Sequence, residues 1–477
     1  MAEAKLYGQN KGGMSINGII KDYYAYAGEN ISAGDLVEYV TGVARRTVYG
    51  TSVDTDLSQN ATYSGQYISA VTLDENRVFI AYGSGSTNTY LNAIIVTIDG
   101  ATITKGESVR ISSDDYAGRT ISTVKMTNGN VFVAHSYNVS KLYGVVCKIN
   151  DTTITAGEDT LIVNDNYAYS EMSAEILDDN RIFIAHSRDI NYYLYGIIVT
   201  ISDTTISKGS DYRIASTVHS GDVINTTVLD NGNVFIAHSY TKDLFLNGVV
   251  CSIDDTTITP GEDVVLLQEK NASFCSIETL RNDRVFIAHK DSNYDIYGMI
   301  CNITELTITK RTDTPIANPL NPAKIGTIAT NYIYTEGFDK ECVFVVYPGD
   351  AKYSMYAHTV EINGDTITEA WFSTYELDDV NNLALSLSTT ILHHGIIFIA
   401  HPYGDLNYLY GLLTSVVYNI KNDKHHIYNI PGHLFAFDYE TQIRKVTAGQ
   451  FDGIAKTSGE GGDDKGHNDL VSIWTKE

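Results

Sequence analysis

Residues Arg181–His186 read RIFIAH, and this short apolar phrase decides the fold because it returns along the chain. It reads RVFIAY at Arg77–Tyr82, NVFVAH at Asn130–His135, NVFIAH at Asn233–His238 and RVFIAH at Arg284–His289. It weakens to CVFVVY at Cys342–Tyr347 and is restored as IIFIAH at Ile396–His401. The central phenylalanines, Phe79, Phe132, Phe183, Phe235, Phe286, Phe344 and Phe398, are 53, 51, 52, 51, 58 and 54 residues apart. Self-similarity at a nearly fixed period marks a repeat architecture.

Each unit has the same internal order. An apolar run such as Ser173–Leu177 comes first, followed by a tight polar turn: DENR, TNGN, DDNR, DNGN or RNDR. Turns of Asn, Asp and Gly join antiparallel strands. The FIAH strand follows, then a longer loop, then a third strand such as Tyr195–Ile201. A short turn leads to a Thr-rich fourth strand, TTIT at Thr152–Thr155 and Thr256–Thr259 and TTIS at Thr204–Ser207. Val, Ile, Thr and Phe dominate, and no window sustains a 3.6-residue apolar period. Four antiparallel strands per unit, seven times over, describe an all-β chain folded as a seven-bladed β-propeller. A linear solenoid is the alternative; seven units favours the closed ring.

Two segments stand outside the repeat, residues 1–43 and 433–477, and the propeller is assigned to 44–432. Both flanking pieces alternate like strands. A closed ring brings its own ends together, so the two pieces are expected to meet in one small β-domain into which the propeller is inserted. Residues 45–58 are the candidates for a strand that closes the ring.

Composition narrows the function. The chain of 477 residues carries a formal net charge of −25. Such a surface repels phosphates and argues against nucleic acid as a partner. No apolar run reaches the roughly 18 residues of a membrane span, so no membrane insertion is expected. The N-terminus, MAEAKLYGQNKGGMS, has no apolar core of a secretory signal, which points to folding in a cytoplasm. Five cysteines are sparse and odd in number for a disulfide framework.

The flanking pieces carry a family resemblance. Ala27–Val40 reads AGENISAGDLVEYV, and Val446–Trp474 contains VTAGQFDGIAKTSGEGG and NDLVSIW. Ala33-Gly34-Asp35-Leu36-Val37 resembles the first half of the pattern of small all-β domains in tailed-phage structural proteins, capsid decoration or cement proteins above all. Gly453–Thr457 followed by Leu470–Ile473 resembles the second half. The match spans about 75 residues; the long insertion and the loop Gly459–Asp469 depart from the family. The propeller repeats also resemble those of phage-encoded surface proteins. The resemblance implies a virion component assembled in a host bacterial cytoplasm. Its partners would be other virion proteins, the major capsid protein or tail proteins.

Candidate chemistry is sparse. His135, His186, His238, His289 and His401 recur at one strand position. Successive blades lie about 10 Å apart, whereas a zinc ligand sits about 2.1 Å from its metal. The expected role is therefore packing between blades and bonding to a nearby backbone group. Cys147, Cys251 and Cys301 take the third-strand position of Val96 and Val199 and read as small buried hydrophobes. Acidic turns such as Asp178-Asp179 match no calcium loop. Ser113–Thr120 is a single, misspaced approximation to the Asp-box of sialidase-type propellers. No GxSxG, HExxH or P-loop occurs, and nothing singles out the carboxylate pair of a glycosidase. The expectation is no catalytic residue, no metal, no cofactor and no enzyme.

The 34 tyrosines are more informative. Tyr143, Tyr195, Tyr297, Tyr356 and Tyr410 recur at one position and are expected to be structural. The loop-tip tyrosines vary: Tyr90, Tyr137, Tyr192, Tyr193, Tyr240, Tyr294, Tyr353, Tyr403 and Tyr408. Aromatic faces beside Asp and Asn suit carbohydrate, and also protein contacts. The leading reading is a non-enzymatic virion surface protein, anchored by its terminal domain, whose propeller projects for stabilisation or weak adhesion. The alternative is a tail-fibre or baseplate protein that recognises a host-surface glycan.

Overall fold

The computed structural model describes residues 21–27, 36–41, 47–49, 55–58, 67–85, 90–99, 102–112, 117–137, 141–164, 172–188, 193–215, 223–240, 245–268, 275–291, 295–317, 328–335, 340–349, 354–368, 375–378, 386–392, 396–403, 407–419, 424–428, 433–435, 441–445, 453–455 and 470–475. Within them, each repeat is one antiparallel sheet. The fourth blade is representative. Its innermost strand is Val223–Val228, followed by Val234–Tyr240, Phe245–Asp254 and the short outer strand Thr257–Pro260. The chain then bulges outward and returns as Val264–Leu267 onto the other end of the third strand.

The FIAH phrase is the second strand, and it is apolar on both faces because it is covered on both. Phe132 of blade two packs with Ile182, Ile184 and Val199 of blade three. Phe183 of blade three packs with Val234, Ile236 and Val249 of blade four. Seven such clusters fill the gaps between consecutive blades. The decisive one joins Phe398, Ala400 and Leu413 of blade seven to Val78, Ile80 and Val96 of blade one. A linear solenoid would leave those faces in water; the molecule is a closed ring. All seven phenylalanines are fully buried, and each contributes about 1.5–3 kcal/mol through its removal from water.

Closure uses the chain before the first repeat. Thr55 and Asp56 pair with Gly411 and Tyr410 on the third strand of blade seven. The Leu57 amide donates to the Leu409 carbonyl at 2.8 Å, and the Leu57 side chain is buried in the closing cluster. This is the place that Thr160–Asn164 fills in blade two. Of the candidate stretch 45–58, it is residues 55–57 that complete the last blade.

Near the axis the innermost strands are too close for large side chains, and each has an unpaired edge. Hydroxyls from one blade serve amides of the next. Ser388 Oγ accepts from the Ala70 amide at 2.9 Å, Ser69 Oγ from Thr123 at 3.1 Å, Ser122 Oγ from Ala174 at 3.0 Å and Ser173 Oγ from Thr226 at 3.1 Å. Asn225 Nδ2 donates to the Cys275 carbonyl at 3.0 Å, and Ser276 and Thr330 share a hydroxyl bond of 2.8 Å. At the sixth joint Thr389 Oγ1 donates to the Thr330 carbonyl at 3.4 Å, because Ala329 stands where the other blades carry serine or asparagine.

Strands outside the seven sheets also pair. Thr47–Tyr49 runs antiparallel to His433–Phe435. Lys21–Ala27 pairs with Leu470–Thr475 and, in parallel, with Thr441–Lys445. Leu36–Thr41 lies between Thr441–Lys445 and Gly453–Ala455, and the latter pairs with Leu470–Thr475.

One glycine position follows from the core. Gly298 stands opposite the Phe286 ring, and a Cβ there would lie 2.8 Å from Ile316 Cδ1 and 2.9 Å from Phe286 Cε2. Gly144, Gly196 and Gly411 meet the same crowding. Gly298→Ala is expected to destabilise the ring by about 1–3 kcal/mol through overpacking, read as a lower denaturation midpoint in urea at unchanged slope.

Candidate functional site

The recurring histidines are buried and engaged. His135 Nε2 bonds Asp159 Oδ1 at 2.8 Å, His186 bonds Asp211 at 3.0 Å, and His238 and His289 bond Asp263 and Asp313, each at 2.9 Å. The partner is a carboxylate where the chain turns back after the outer strand, just before the returning strand in three blades and within it in blade three, and this corrects the expected backbone partner. Backbone contact exists through the other nitrogen, from His186 Nδ1 to the Ser187 carbonyl and from His401 Nδ1 to the Pro402 carbonyl. The bond spans the third strand and ties the second strand to the outer edge of its own blade. The sequence held the signal, since each Asp follows its His by 24 or 25 residues.

The recurring tyrosine covers the imidazole. Ring centroids lie 5.8 Å apart for His135 and Tyr143, 6.1 Å for His186 and Tyr195, and 5.7 Å for His289 and Tyr297. In blade one Tyr82 and Ser108 replace the pair with a hydroxyl bond of 2.5 Å. In blade six Tyr347 stacks on His358 at 5.7 Å; burial pushes His358 down to about 4. These tyrosines are structural, and the histidines offer no nitrogen to solvent. Each imidazole is buried, while its aspartate keeps between 9% and 23% of its side chain exposed.

Four of the nine loop-tip tyrosines have described side chains. Tyr90 carries the Arg110 guanidinium 4.1 Å from its ring centre, and Tyr193 carries Arg213 at 3.7 Å. Both arginines are fixed by a bond from Nε to a backbone carbonyl, of Ser112 and Ala215. One face of each ring is thus covered by a cation. Tyr403 packs on Tyr410 at 4.6 Å, and Tyr408 opens the third strand of the same blade. The backbone places Tyr137 and Tyr240 at the ends of second strands. Tyr192, Tyr294 and Tyr353 lie outside the described residues. The described tyrosines come from blades one, three and seven, and no pair from different blades is in ring contact among them.

A concavity lies on the axis, where the innermost strands of all seven blades meet. A cavity of about 490 Å³ is lined by the first residues of all seven innermost strands, including Ser122, Ser173, Glu175, Asn225, Ser276 and Ser388. Sequence reasoning passed over it, because the ring alone brings serines and threonines of six different blades together. Glu175 and Glu278 occupy matching positions on blades three and five, opposite Phe183 and Phe286. Burial pushes both carboxyls up to about 8; for Glu175 the neighbouring Glu278 adds to the effect. Thr330 Oγ1 donates to Glu278 at 3.2 Å. Among the described residues, no three His, Cys, Asp or Glu side chains gather as a metal site, and no helix is long and apolar enough to cross a membrane.

No family model matches the sequence, and no curated protein matches it. Solved structures share the architecture. A protein from Lactobacillus plantarum superposes with a TM-score of 0.52 at 9% identity, over 78% of this chain and 99% of that one. NanB sialidase from Streptococcus pneumoniae gives 0.45 at 11% identity, over 78% and 71% of the two chains. AofleA from Arthrobotrys oligospora gives 0.43 at 9%, over 66% and 87%. At such identities the likeness concerns the fold alone. The chain is an all-β, seven-bladed β-propeller protein.

Three outcomes test these assignments. Asp263→Ala leaves His238 buried without its carboxylate and is expected to cost about 1–3 kcal/mol, measured by chemical denaturation. Cys147, Cys251 and Cys301 are buried, and desolvation pushes each thiol up to about 12; a thiol reagent at neutral pH should label them only after denaturation. Glu175 and Glu278 ionise near 4.5 in the unfolded chain and near 8 in the ring. The stability they lend is therefore complete below about 4.5 and declines as pH rises toward about 8. Glu278→Gln should flatten the fall in melting temperature across that window.

Proposed function

We propose that this chain is a non-enzymatic surface protein of a tailed-phage virion, a capsid decoration protein in which the two chain ends form one anchoring module and the propeller projects. The observation that carries the reading is the pairing of strands from opposite ends of the chain. Lys21–Ala27 lies beside Leu470–Thr475, and Leu36–Thr41 lies beside Thr441–Lys445. Neither end could complete a sheet alone, since an isolated hairpin is marginal in water. Three of the paired strands, Leu36–Thr41, Gly453–Ala455 and Leu470–Thr475, carry residues whose sequence resembles the decoration-protein pattern. The recurring imidazoles are buried and committed to aspartates of their own blades, which agrees with a structural role. The anchor would contact the major capsid protein or a tail protein.

A second reading, a tail-fibre or baseplate protein that recognises a host-surface glycan, draws support from the cation-backed rings of Tyr90 and Tyr193. Two rigid aromatic platforms on two blades suit stacking against sugar rings. Copy number separates the two readings.

The test is incorporation into particles. Deleting residues 433–477 should leave a folded propeller that no longer joins virions. Joining residues 1–43 directly to 433–477 through a short linker should give a small module that still does. A propeller that attaches without the ends would sink the anchor assignment. Hundreds of copies per particle support decoration; a few tens or fewer support the fibre.

A further inference from the structure

The axial cavity has an electrostatic character that neither reading of the chain uses. Among the lining residues Glu175 is the single carboxylate, and there is no lysine, arginine or histidine. Tyr67 is the single aromatic ring in the lining. The remaining wall is mostly hydroxyl and amide. The hydroxyls are partly committed: Ser122, Ser173 and Ser388 accept from backbone amides of the next blade. Asn225 is oriented by its Nδ2, which donates to the Cys275 carbonyl at 3.0 Å and approaches its Sγ at 3.5 Å. Its Oδ1 is thereby left as an acceptor on the blade adjacent to Glu175.

Glu175 and Glu278 hold matching positions on blades three and five, but only Glu175 lines the cavity. Glu278 receives hydrogen bonds from Thr330 Oγ1 and the Tyr332 amide. Glu175 receives none among the described residues and lines the open cavity. A carboxyl without a hydrogen-bond partner among the described residues, in a chamber whose described lining has no lysine, arginine or histidine, calls for a positively charged occupant. An anion would meet no positive charge. A bare metal ion needs several converging oxygen ligands, and here one carboxylate faces a chamber of about 490 Å³. A stacked sugar ring would meet a single aromatic side chain.

We propose that the axial cavity binds a small primary-ammonium ligand, with Glu175 as its counter-ion and Asn225 Oδ1 as a second acceptor. On binding, the Glu175 carboxylic acid gives its proton to solvent and the carboxylate accepts from the ammonium N–H. Affinity therefore rises with pH until the amine itself loses its proton. The groups that face Glu175 support this assignment. Blade two presents Ser122, Thr123 and Val124, and blade four presents Asn225, Thr226 and Thr227, none of which titrates in this range. Glu278 on blade five raises Glu175 further, and Cys275 and Tyr67 are the remaining titratable groups of the wall.

The experiment is calorimetric titration of the full-length protein with 1,4-diaminobutane and with its neutral isostere butane-1,4-diol, at pH 7 and pH 9. The diamine should bind, about tenfold tighter at pH 9 than at pH 7, the ratio expected for a carboxyl that ionises near 8. At pH 7 the heat should depend on the buffer, reporting release of close to one proton. The diol should bind at least about tenfold more weakly. Glu175→Gln should lose about tenfold in affinity together with the pH dependence, while its melting curve shows it folded. Glu278→Gln should keep the site and weaken its pH dependence. Equal binding of diol and diamine, an unchanged affinity in Glu175→Gln, or no diamine binding at millimolar concentration at either pH would each overturn the proposal. None of these results depends on whether the protein joins a virion.

Discussion

A sheet that is apolar on both faces cannot stand alone in water. Each blade here has that property, because the FIAH strand buries alternate residues against the blade before it and the blade after it. The only arrangement that covers every face is one in which the last blade meets the first. The cluster that joins Phe398 and Leu413 to Val78 and Ile80 is therefore the contact on which the rest depends. It is completed from outside the repeats by Leu57, delivered by the chain that precedes blade one. Opening that seam would expose two apolar sheet faces at once, about 25 cal/mol for each Å² returned to water.

Two sets of polar bonds complement the apolar clusters, one at each radius. Near the axis, sheets converge and only small side chains fit, yet the innermost strands carry an unpaired edge that needs partners. Serine, threonine and asparagine answer both needs, since they are small and their oxygens accept from the adjacent blade. Farther out, the His–Asp bond clamps the returning outer strand to the second strand across the third. Its replacement by Tyr82 and Ser108 in blade one shows that the clamp matters more than the chemistry of its ends. The loops that follow the second strands thus rise from a stiff base.

This stiffness bears on function. Under the proposed function, a propeller held at axis, mid-blade and outer edge serves as a rigid platform for its loop tips and its axial chamber. The chain ends leave the ring together, as the antiparallel pairing of Thr47–Tyr49 with His433–Phe435 records. A single attachment through paired ends suits a domain that is presented by a larger assembly. Glu175 and Glu278 are the exception to a structure otherwise built for stability. They keep two carboxyls away from bulk water, which is a cost a purely structural channel would avoid with Val71 or Val124, the residues at that position in blades one and two.

The repeat, the four strands of each unit, the antiparallel turns and the burial of Phe, Cys147, Cys251 and Cys301 were all legible in the sequence. They follow from local alternation and from a period that needs no knowledge of distant contacts. The structural role of Tyr143, Tyr195 and Tyr297 was legible for the same reason, since a residue repeated in five blades answers a common need. What stayed hidden were relations between residues far apart along the chain. The carboxylate partners of His135 and His238 sit in AGED and PGED, 24 and 25 residues further along the chain and across the third strand. The closing role of Thr55–Leu57 depends on a residue more than 300 positions away. The axial chamber has no local signature at all. Glu175, Asn225 and Ser388 share one wall solely because seven sheets close about an axis, and only closure in three dimensions could decide that they do.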